Sequence, residues 1–387
     1  MRKNIFLFNI YHTCVGLWLF SPLAIIYFQD ICQSYSMAIL VYSMICLTTS
    51  LTEIPVGVIS DRLGRRTNII FAAVFICLGM VFWALAGKFG LPMLFLGSVF
   101  RGIGASLHSG TCEAFMYETM CDLRSRKLFD KVYAKAMSYH QMGLLVSAVC
   151  GMIVTYYFPL IYLVWLSVLP AFINIFITLL LKEPKSCFDK QISPWQQIVQ
   201  SFSLLLKKKK LRNYTIMRVL TSGVLLGAYR FEALYFAQLI PIYLINVVRI
   251  ITHGCGYISF ALVGVLKQFS FLKMLFYSNL VMAAIRAIGL ALNNSLTPFL
   301  TAFYNLGYGI SSTAQTTLLQ KEYNKSLRAT MHSLSDFIGG FSVTVIGYIL
   351  GVIADLFSLR TALLVMVIAQ ILLAVGYNNL FKIYGKK

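Results

Sequence analysis

Ionisable side chains that interrupt long apolar stretches are the residues of this sequence best suited to chemistry. Four arginines, Arg101, Arg218, Arg230 and Arg286, lie within such stretches, and so does Glu53. If the stretches cross a membrane, each charge inside them costs at least about 2.5–3.5 kcal/mol on insertion scales. Each of these residues therefore needs a partner or a role, such as binding a charged group or carrying a proton.

Arg101 lies near the middle of its apolar stretch, and His108 follows seven residues later on the same helical face. We interpret Arg101 as a cation that binds an anionic group or changes the protonation of a neighbouring carboxyl group. The alternative is a structural arginine that donates to carbonyl oxygens of a neighbouring helix.

The composition indicates which elements must position these residues. Of the 387 residues, 59% are hydrophobic and 12% are charged, and the mean hydropathy is +0.77. These values exclude an ordinary soluble domain. A membrane-spanning helix needs about 20 apolar residues. The apolar runs predict spans at 5–28, 37–59, 68–87, 91–116, 136–157, 160–181, 213–239, 250–266, 274–293, 296–319, 329–353 and 361–380.

The basic residues predict the orientation of these spans. The formal net charge is +20, which in a soluble protein would indicate a nucleic-acid partner. Of the 33 Lys and Arg residues, 26 fall in connections on one side of the predicted membrane, and only Lys88, Arg249 and Arg360 fall on the other. Because cytoplasmic loops carry the excess of Lys and Arg, both termini are predicted to be cytoplasmic, and nucleic acid is not needed to explain the charge.

The longest connection divides the predicted spans into two groups of six. We predict an N-terminal six-helix bundle at 1–181, a cytoplasmic linker at 182–212 and a C-terminal six-helix bundle at 213–387. In the linker, Pro194 can begin a helix whose apolar residues recur at helical spacing before four lysines. We predict that this helix lies on the cytoplasmic leaflet. A solvated basic linker is the alternative.

A ten-residue motif follows the second predicted span and reads Gly57-Val58-Ile59-Ser60-Asp61-Arg62-Leu63-Gly64-Arg65-Arg66. Gly57 permits close helix approach and Gly64 permits a tight turn, while the arginines are expected to stay in the headgroup zone. The motif resembles the loop 2-3 signature of the major facilitator superfamily at every defined position except Ile59. The resemblance implies a conformational role for Gly57, Asp61, Arg62, Gly64, Arg65 and Arg66.

Two further segments resemble the bacterial drug-efflux-like branch of that superfamily. They are Glu53-Ile54-Pro55, just before the motif, and Ser109 to Tyr117 in the fourth span. The antiporter signature of span five is reduced to Gly143 and Gly151, without a proline. That departure leaves the direction of transport open.

The resemblance implies an all-α membrane protein with twelve transmembrane helices in two pseudo-symmetric six-helix bundles. Spans one, four, seven and ten would line a central cavity that opens to alternate sides, in agreement with the midplane sites typical of such folds. Spans two and eleven would pack together. We hypothesise that Glu53, Asp61, His332 and Asp336 then form a cytoplasmic gate whose protonation biases the two states. Static, hydrated polar contacts are the alternative.

Two further proton-coupling candidates lie in span four. They are Arg101 and Glu113, although the cytoplasmic position of Glu113 favours a surface ion pair.

Eight residues of the implied cavity spans are candidates for contact with a solute. They are His12, Trp18, His108, Arg230, Glu232, Asn305, Tyr308 and Gln315. Arg230 and Glu232 are two residues apart and point to different helical faces. In the tenth span, polar residues recur three and four apart, which suits a wet cavity wall or polar contacts between helices. The sequence offers no account of Arg286.

The sequence thus predicts a secondary active transporter of a small solute in a bacterial cytoplasmic membrane, working as a monomer without cofactor or metal and driven by an ion gradient, with protons as the expected ion. Export of an amphiphilic compound is the first interpretation, and uptake of a nutrient or siderophore-like solute by symport is the second. An enzyme is disfavoured because no nucleophile and base or metal-ligating cluster stands at recognisable spacing. A channel or non-transporting receptor is the remaining class.

Overall fold

The fold is almost entirely helical, and the described residues contain no strand. The structure is a computed structural model that describes residues 2–125, 128–184, 194–263, 265–323 and 328–385. The side chains of residues 2, 54, 55, 57–63, 110, 130, 131, 134, 194–198, 267, 268, 328, 329 and 332 are not among those described. The chain divides into two compact units, unit 1 (Met1–Gln33 with Val41–Gln191) and unit 2 (Ser34–Leu40 with Ile192–Lys387).

The described residues of unit 1 form seven α-helices, of which the third shares its first turn with unit 2. They are α1 (Arg2–Gly16), α2 (Ala24–Cys32), α3 (Tyr35–Leu63), α4 (Arg65–Phe89), α5 (Leu91–Asp122), α6 (Phe129–Tyr157) and α7 (Leu160–Leu179). Unit 2 contains α8 (Pro194–Lys207), α9 (Lys209–Ala237), α10 (Ile242–Leu262), α11 (Phe271–Leu292), α12 (Thr297–Ala302), α13 (Tyr308–Glu322), α14 (Arg328–Leu356) and α15 (Leu359–Tyr384).

Nine helical segments of the described chain are long and apolar enough to cross a membrane. Each of the twelve predicted spans falls largely on helix, which confirms the prediction of an all-α membrane protein. The three spans outside the nine are the fourth, seventh and tenth, formed by α5, α9 and α12 with α13. Their polar and charged side chains lower the hydropathy, as expected where a helix faces a polar interior instead of lipid.

The first and tenth spans are broken, which the apolar pattern does not reveal. In the first, α1 ends at Gly16, and a short 3-10 turn over Ser21–Leu23 contains Pro22, whose ring cannot continue an α-helix. In the tenth, a 3-10 segment over Phe303–Gly307 separates α12 from α13. Mid-helix 3-10 segments often mark hinges.

The start of the eighth span corrects the sequence prediction. We predicted this span to begin at residue 250 and assigned Arg249 to a loop, but α10 begins at Ile242 and Arg249 is only 1% exposed. Arg249 is therefore a charge buried within a helix, and it does not contribute to the charge count of a loop.

The connection between the predicted bundles contains α8, as its apolar spacing indicates. Val199, Phe202 and Leu206 are each about half exposed on one side of α8, while Ser201 on the other side is fully buried. The position of α8 relative to a membrane leaflet remains a prediction.

The first turn of α3 belongs to unit 2 because a distant carboxylate holds it there. Asp355, at the end of α14, accepts the backbone N–H groups of Tyr35 at 2.7 Å and Ser36 at 3.0 Å. It also accepts the hydroxyl of Ser34 at 2.9 Å. These groups are among the free donors of a helix N-terminus, where negative charge is favoured.

Candidate solute-binding site

The conformational motif ends in a capped helix start within unit 1. Gly64 has φ +90°, a backbone conformation that glycine adopts without strain, and α4 begins at the next residue. The Glu183 carboxylate accepts the backbone N–H groups of Arg65 at 2.6 Å and Arg66 at 2.7 Å. A Cβ at position 64 would come within 3.0 Å of that carboxylate. Both the backbone angle and the space therefore favour glycine.

The two arginines after Gly64 contact neighbouring helices, and their position in the headgroup zone stays a prediction. The Arg65 Nε lies 3.4 Å from a carboxylate oxygen of Glu118, a residue that is 2% exposed. The Arg66 guanidinium donates to the carbonyl oxygen of Leu179 at 2.8 Å. The side chains of Asp61 and Arg62 lie outside those described, and the surroundings of Gly57 are not described either.

Arg101 is held where α4 and α5 pack backbone to backbone. A Cβ at Gly79 would approach the Arg101 nitrogen and the Gly97 oxygen to 2.9 Å, so small residues bring the two helices together there. The Arg101 Cζ lies 4.9 Å from the centre of the Trp18 ring, which stacks on Trp83. Among the described side chains, no carboxylate lies within 4 Å of Arg101, and its Nε lacks a hydrogen-bond partner.

Three histidines surround the same region of unit 1. The Tyr11 hydroxyl lies 2.6 Å from Nδ1 of His108. The His12 ring centre is 5.6 Å from that of His108 and 6.4 Å from that of His140. His12 is 2% exposed, and neither of its ring nitrogens has a hydrogen-bond partner. Within the described part of the chain, no three His, Cys, Asp or Glu side chains are arranged to hold a metal ion.

In unit 2, one buried carboxylate is shared by two buried arginines. Glu232 of α9 lies 2.9 Å from Arg286 of α11 and 3.7 Å from Arg249 of α10. Arg286 also donates to Oε1 of Gln370 at 2.9 Å. Its guanidinium lies 3.6 Å from the Tyr304 ring centre. These contacts give Arg286 a structural role, and they place Glu232 in a network between helices.

The neighbours of this network also have contacts within the protein. The Arg249 guanidinium lies 3.8 Å from the Tyr229 ring centre, and Arg230 is buried. The Asn305 amide donates to the Thr252 carbonyl oxygen at 2.7 Å and packs against Gly256. Asn305, predicted as a cavity residue, thus joins the 3-10 segment to α10, which is the helix-contact alternative raised by the sequence.

A polar cavity of about 170 Å³ lies between α9 and α13 in unit 2, and we call it the polar cavity. Eight of its ten lining residues can form hydrogen bonds, and two are leucines. The lining consists of Arg218, Thr221, Ser222, Leu225, Leu226, Tyr308, Ser311, Ser312, Gln315 and Thr316. Tyr308 and Gln315, which the sequence pattern selects, are therefore brought together here.

A larger cavity of about 430 Å³, the apolar cavity, is formed by α9, α14 and α15. Its lining is entirely apolar and consists of Met217, Leu220, Val224, Ile346, Ile349, Leu350, Ile353, Val365, Met366, Ala369, Leu372 and Leu373. Such a lining can hold a hydrocarbon group but cannot orient a polar one.

The candidates for the cytoplasmic gate and for proton coupling differ in exposure and in contacts. Asp336 is half exposed and forms an ion pair at 2.6 Å with Arg218, whose side chain lines the polar cavity. Sequence patterns do not indicate this pair. Glu53 is half-buried on α3, and Glu113 is exposed. The His332 side chain, like that of Asp61, lies outside the described residues.

A sequence profile described as Major Facilitator Superfamily matches residues 12–342 of the chain. The chain belongs to the Major Facilitator Superfamily. Members of this family are transporters, so the chain is a multi-pass membrane transporter of a small molecule and not an enzyme. Curated protein sequences give no significant match.

Solved transporter structures share this fold at low sequence identity. A mutant of the nucleoside transporter NupG has a TM-score of 0.82 and 13% identity over 98% of this chain and 99% of its own. A D-xylose-proton symporter has a TM-score of 0.75 and 14% identity over 97% of both chains. A bacterial homologue of the human lysosomal transporter Spinster has a TM-score of 0.77 and 14% identity over 100% of this chain and 98% of its own.

Proposed function

We propose that the chain is a secondary active transporter that moves a small polar solute by alternating access. It works as a monomer in a bacterial cytoplasmic membrane with both termini in the cytoplasm, and a proton gradient drives it without a cofactor. The polar cavity carries this proposal, because it gathers hydrogen-bonding side chains on the seventh and tenth spans. Midplane sites on such spans are typical of secondary transporters.

The Arg218–Asp336 ion pair is the proposed site at which a proton couples to transport. The two side chains are 2.6 Å apart, and Arg218 also lines the polar cavity. A proton on Asp336 removes its negative charge and weakens its hold on the Arg218 guanidinium. The donors of Arg218 are then available to an oxygen of the solute, so protonation and solute binding are thermodynamically linked.

Export of an amphiphilic compound is the second candidate function. The apolar cavity, at about 430 Å³, falls within the roughly 300–1,000 Å³ of drug-sized ligand sites. The segments Glu53 to Pro55 and Ser109 to Tyr117, which resemble the drug-efflux-like branch, support the same candidate. Uptake of a polar solute and export of an amphiphile differ in both direction and cavity, so one set of flux measurements separates them.

The test uses proteoliposomes of the full chain with an imposed pH gradient and three labelled solutes, D-xylose, uridine and tetraphenylphosphonium. Proton-driven accumulation of D-xylose or uridine, abolished by an uncoupler, supports uptake. Expulsion of tetraphenylphosphonium supports export. Fluxes equal to those of protein-free liposomes for all three solutes would contradict transport of either class.

A substitution at the ion pair tests the coupling. Asp336→Asn should abolish accumulation driven by the pH gradient while leaving exchange of labelled for unlabelled solute. Glu322→Gln is the matched control, because Glu322 also pairs with a basic residue, Lys210 at 2.6 Å, outside the cavity lining. Equal loss of proton-driven accumulation in both variants would remove Asp336 from the coupling role.

A further inference from the structure

We infer that the polar cavity binds an uncharged, hydroxyl-rich solute of about the size of a sugar. The inference rests on the proposed transport function and names the class of its substrate. It is carried by the spacing of the lining residues, by an unpaired buried hydroxyl, by the charge balance and by the cavity volume.

The lining residues form two facing stripes at helical spacing. On α9, Arg218, Ser222 and Leu225 recur once per turn, and on α13 so do Tyr308, Ser312 and Gln315. Because residues three and four apart share one helical face, each helix presents a single continuous stripe to the cavity. The arrangement is a binding surface on two helices, not a scatter of polar residues.

The side chains that line the polar cavity differ between its two ends. Lys210, near the start of α9, pairs with Glu322, near the end of α13, so the two helices run antiparallel. Arg218 therefore faces the Gln315 end of α13, whereas Leu225 faces the Tyr308 end. The serine hydroxyls of the lining lie between these ends. A sugar ring, which has hydroxyls on its edge and C–H groups on its faces, matches this order.

One hydroxyl of the lining lacks a partner. Ser311 is 1% exposed, and its Oγ forms no hydrogen bond in the described structure. A buried polar group without a partner is costly, and serines within helices usually bond to a carbonyl oxygen of the preceding turn. The Oγ is enclosed in this structure, and a change of the Ser311 rotamer toward the cavity would let a hydroxyl of a bound solute satisfy it. An apolar solute would leave it unsatisfied.

Charge and size restrict the solute further. While Asp336 is ionised, it pairs with Arg218, the cation of the lining, at 2.6 Å, so a charged solute group is not needed to neutralise Arg218 in that state. The volume of about 170 Å³ corresponds to the liquid volume of roughly six waters at about 30 Å³ each. Drug-sized ligands occupy pockets of about 300–1,000 Å³. The cavity therefore suits a sugar-sized solute better than an amphiphilic drug.

The experiment measures binding to the purified full-length protein by thermal shift, since a ligand of the folded state raises the midpoint by mass action. D-xylose and D-ribose are the probes. Tetrahydropyran, a similar ring without hydroxyls, and tetraphenylphosphonium are the comparison compounds. We expect a concentration-dependent rise in Tm with at least one of the two sugars and none with either comparison compound.

Ser311→Ala is the diagnostic variant because it removes a hydroxyl that has no partner in the protein. The unliganded Tm should stay the same or rise, while affinity for the sugar falls roughly three- to tenfold, as for the loss of one hydrogen bond. Thr317→Ala is the control on the same helix, because Thr317 lies outside the cavity lining and donates to the Thr313 carbonyl oxygen. Its affinity should equal that of the unsubstituted protein.

Three results would overturn the inference: no shift with either sugar, a shift with tetraphenylphosphonium alone, or a Ser311→Ala variant with unchanged sugar affinity. These are distinguishable from failure of the proposed function. Sugar binding without flux in proteoliposomes would remove the transport proposal and leave the binding site. Flux of tetraphenylphosphonium without sugar binding would do the reverse.

Discussion

The interiors of the two units hold buried positive charge in different ways. In unit 2, Glu232 lies 2.9 Å from Arg286 and 3.7 Å from Arg249. In unit 1, Arg101 lies against the Trp18 ring at 4.9 Å, and no described carboxylate reaches it. Both solutions lower the cost of an arginine in an apolar setting, one by pairing and one by contact with an aromatic ring.

The difference separates charges that stabilise the fold from charges that remain available. Arg286 donates from Nε to Glu232 and from Nη1 to Gln370, although its Nη2 has no hydrogen-bond partner. Because these two bonds join three helices, their loss would damage the structure first. Arg101 keeps Nε unpaired, and His12 nearby keeps both ring nitrogens unpaired. Buried donors without partners suit contact with a solute or a proton, because the protein itself does not satisfy them.

The largest expected effect comes from breaking the paired interior. Glu232→Ala leaves two buried arginines without their carboxylate, and removal of one partner of a buried pair costs about 3–5 kcal/mol. The free energy of unfolding in detergent should fall by that amount. Glu322→Ala, whose side chain is 25% exposed, should cost less than about 1 kcal/mol. Equal losses in the two variants would contradict the structural role of Glu232.

Removing the unpaired charge should have a smaller effect of the opposite sign. Arg101→Gln relieves a burial cost of about 2.5–3.5 kcal/mol and loses a ring contact worth about 0.5–2 kcal/mol. Unfolding in detergent should therefore show a stability higher by about 0.5–3 kcal/mol, while solute flux in proteoliposomes falls. A strongly destabilised Arg101→Gln variant that still transports normally would show that Arg101 stabilises the fold and does not serve transport.

The carboxylates at the starts of two helices should behave alike in both units. Asp355→Ala and Glu183→Ala each remove the acceptor of two backbone N–H groups. Loss of a cap costs about 0.5–2 kcal/mol, so both variants should show Tm reductions of similar size. A much larger reduction in one of them would show that the units also differ at their helix ends.

The smallest effect on stability is expected at His12. Its ring packs against Phe8 with centres 4.4 Å apart, and its nitrogens make no hydrogen bond. His12→Phe keeps a ring in place and removes unpaired polar atoms, so the free energy of unfolding should change by less than about 1 kcal/mol or rise. Reduced flux at unchanged Tm would indicate that the His12 nitrogens serve the solute or the proton. Unchanged flux would assign His12 to packing alone.

The twelve spans could be predicted because lipid-facing helices consist of long runs of apolar residues. The same reasoning failed at Arg249, because hydropathy assigns a charge at the edge of an apolar run to a loop. Glu232, the carboxylate that pairs with Arg249, lies on another helix. The ring of Tyr229 packs against one side of the Arg249 guanidinium. Arg286 remained unexplained because its partners lie on other helices; Gln370, for example, is 84 residues away.

Residues of the candidate site could be predicted only where a pattern of polar residues recurs along a single helix. Tyr308 and Gln315 stand out because polar residues recur along one helical face, and both line the polar cavity. Asn305 belongs to the same series, yet the 3-10 segment turns it toward Thr252. The Arg218–Asp336 contact and the contact of Glu183 with the Arg65 backbone join residues more than 100 positions apart. No spacing rule for one helix reports such contacts.

The 3-10 segment over Phe303–Gly307 sets the rotation of the helix that follows it. A 3-10 helix advances about 120° and 2.0 Å per residue, against about 100° and 1.5 Å in an α-helix. Over these five residues the difference amounts to about 100° of rotation and about 2.5 Å of length. Rewinding this one segment into α-helix would turn Ser311 and Gln315 away from α9. Five residues outside the cavity lining thus determine whether its hydroxyls face the cavity.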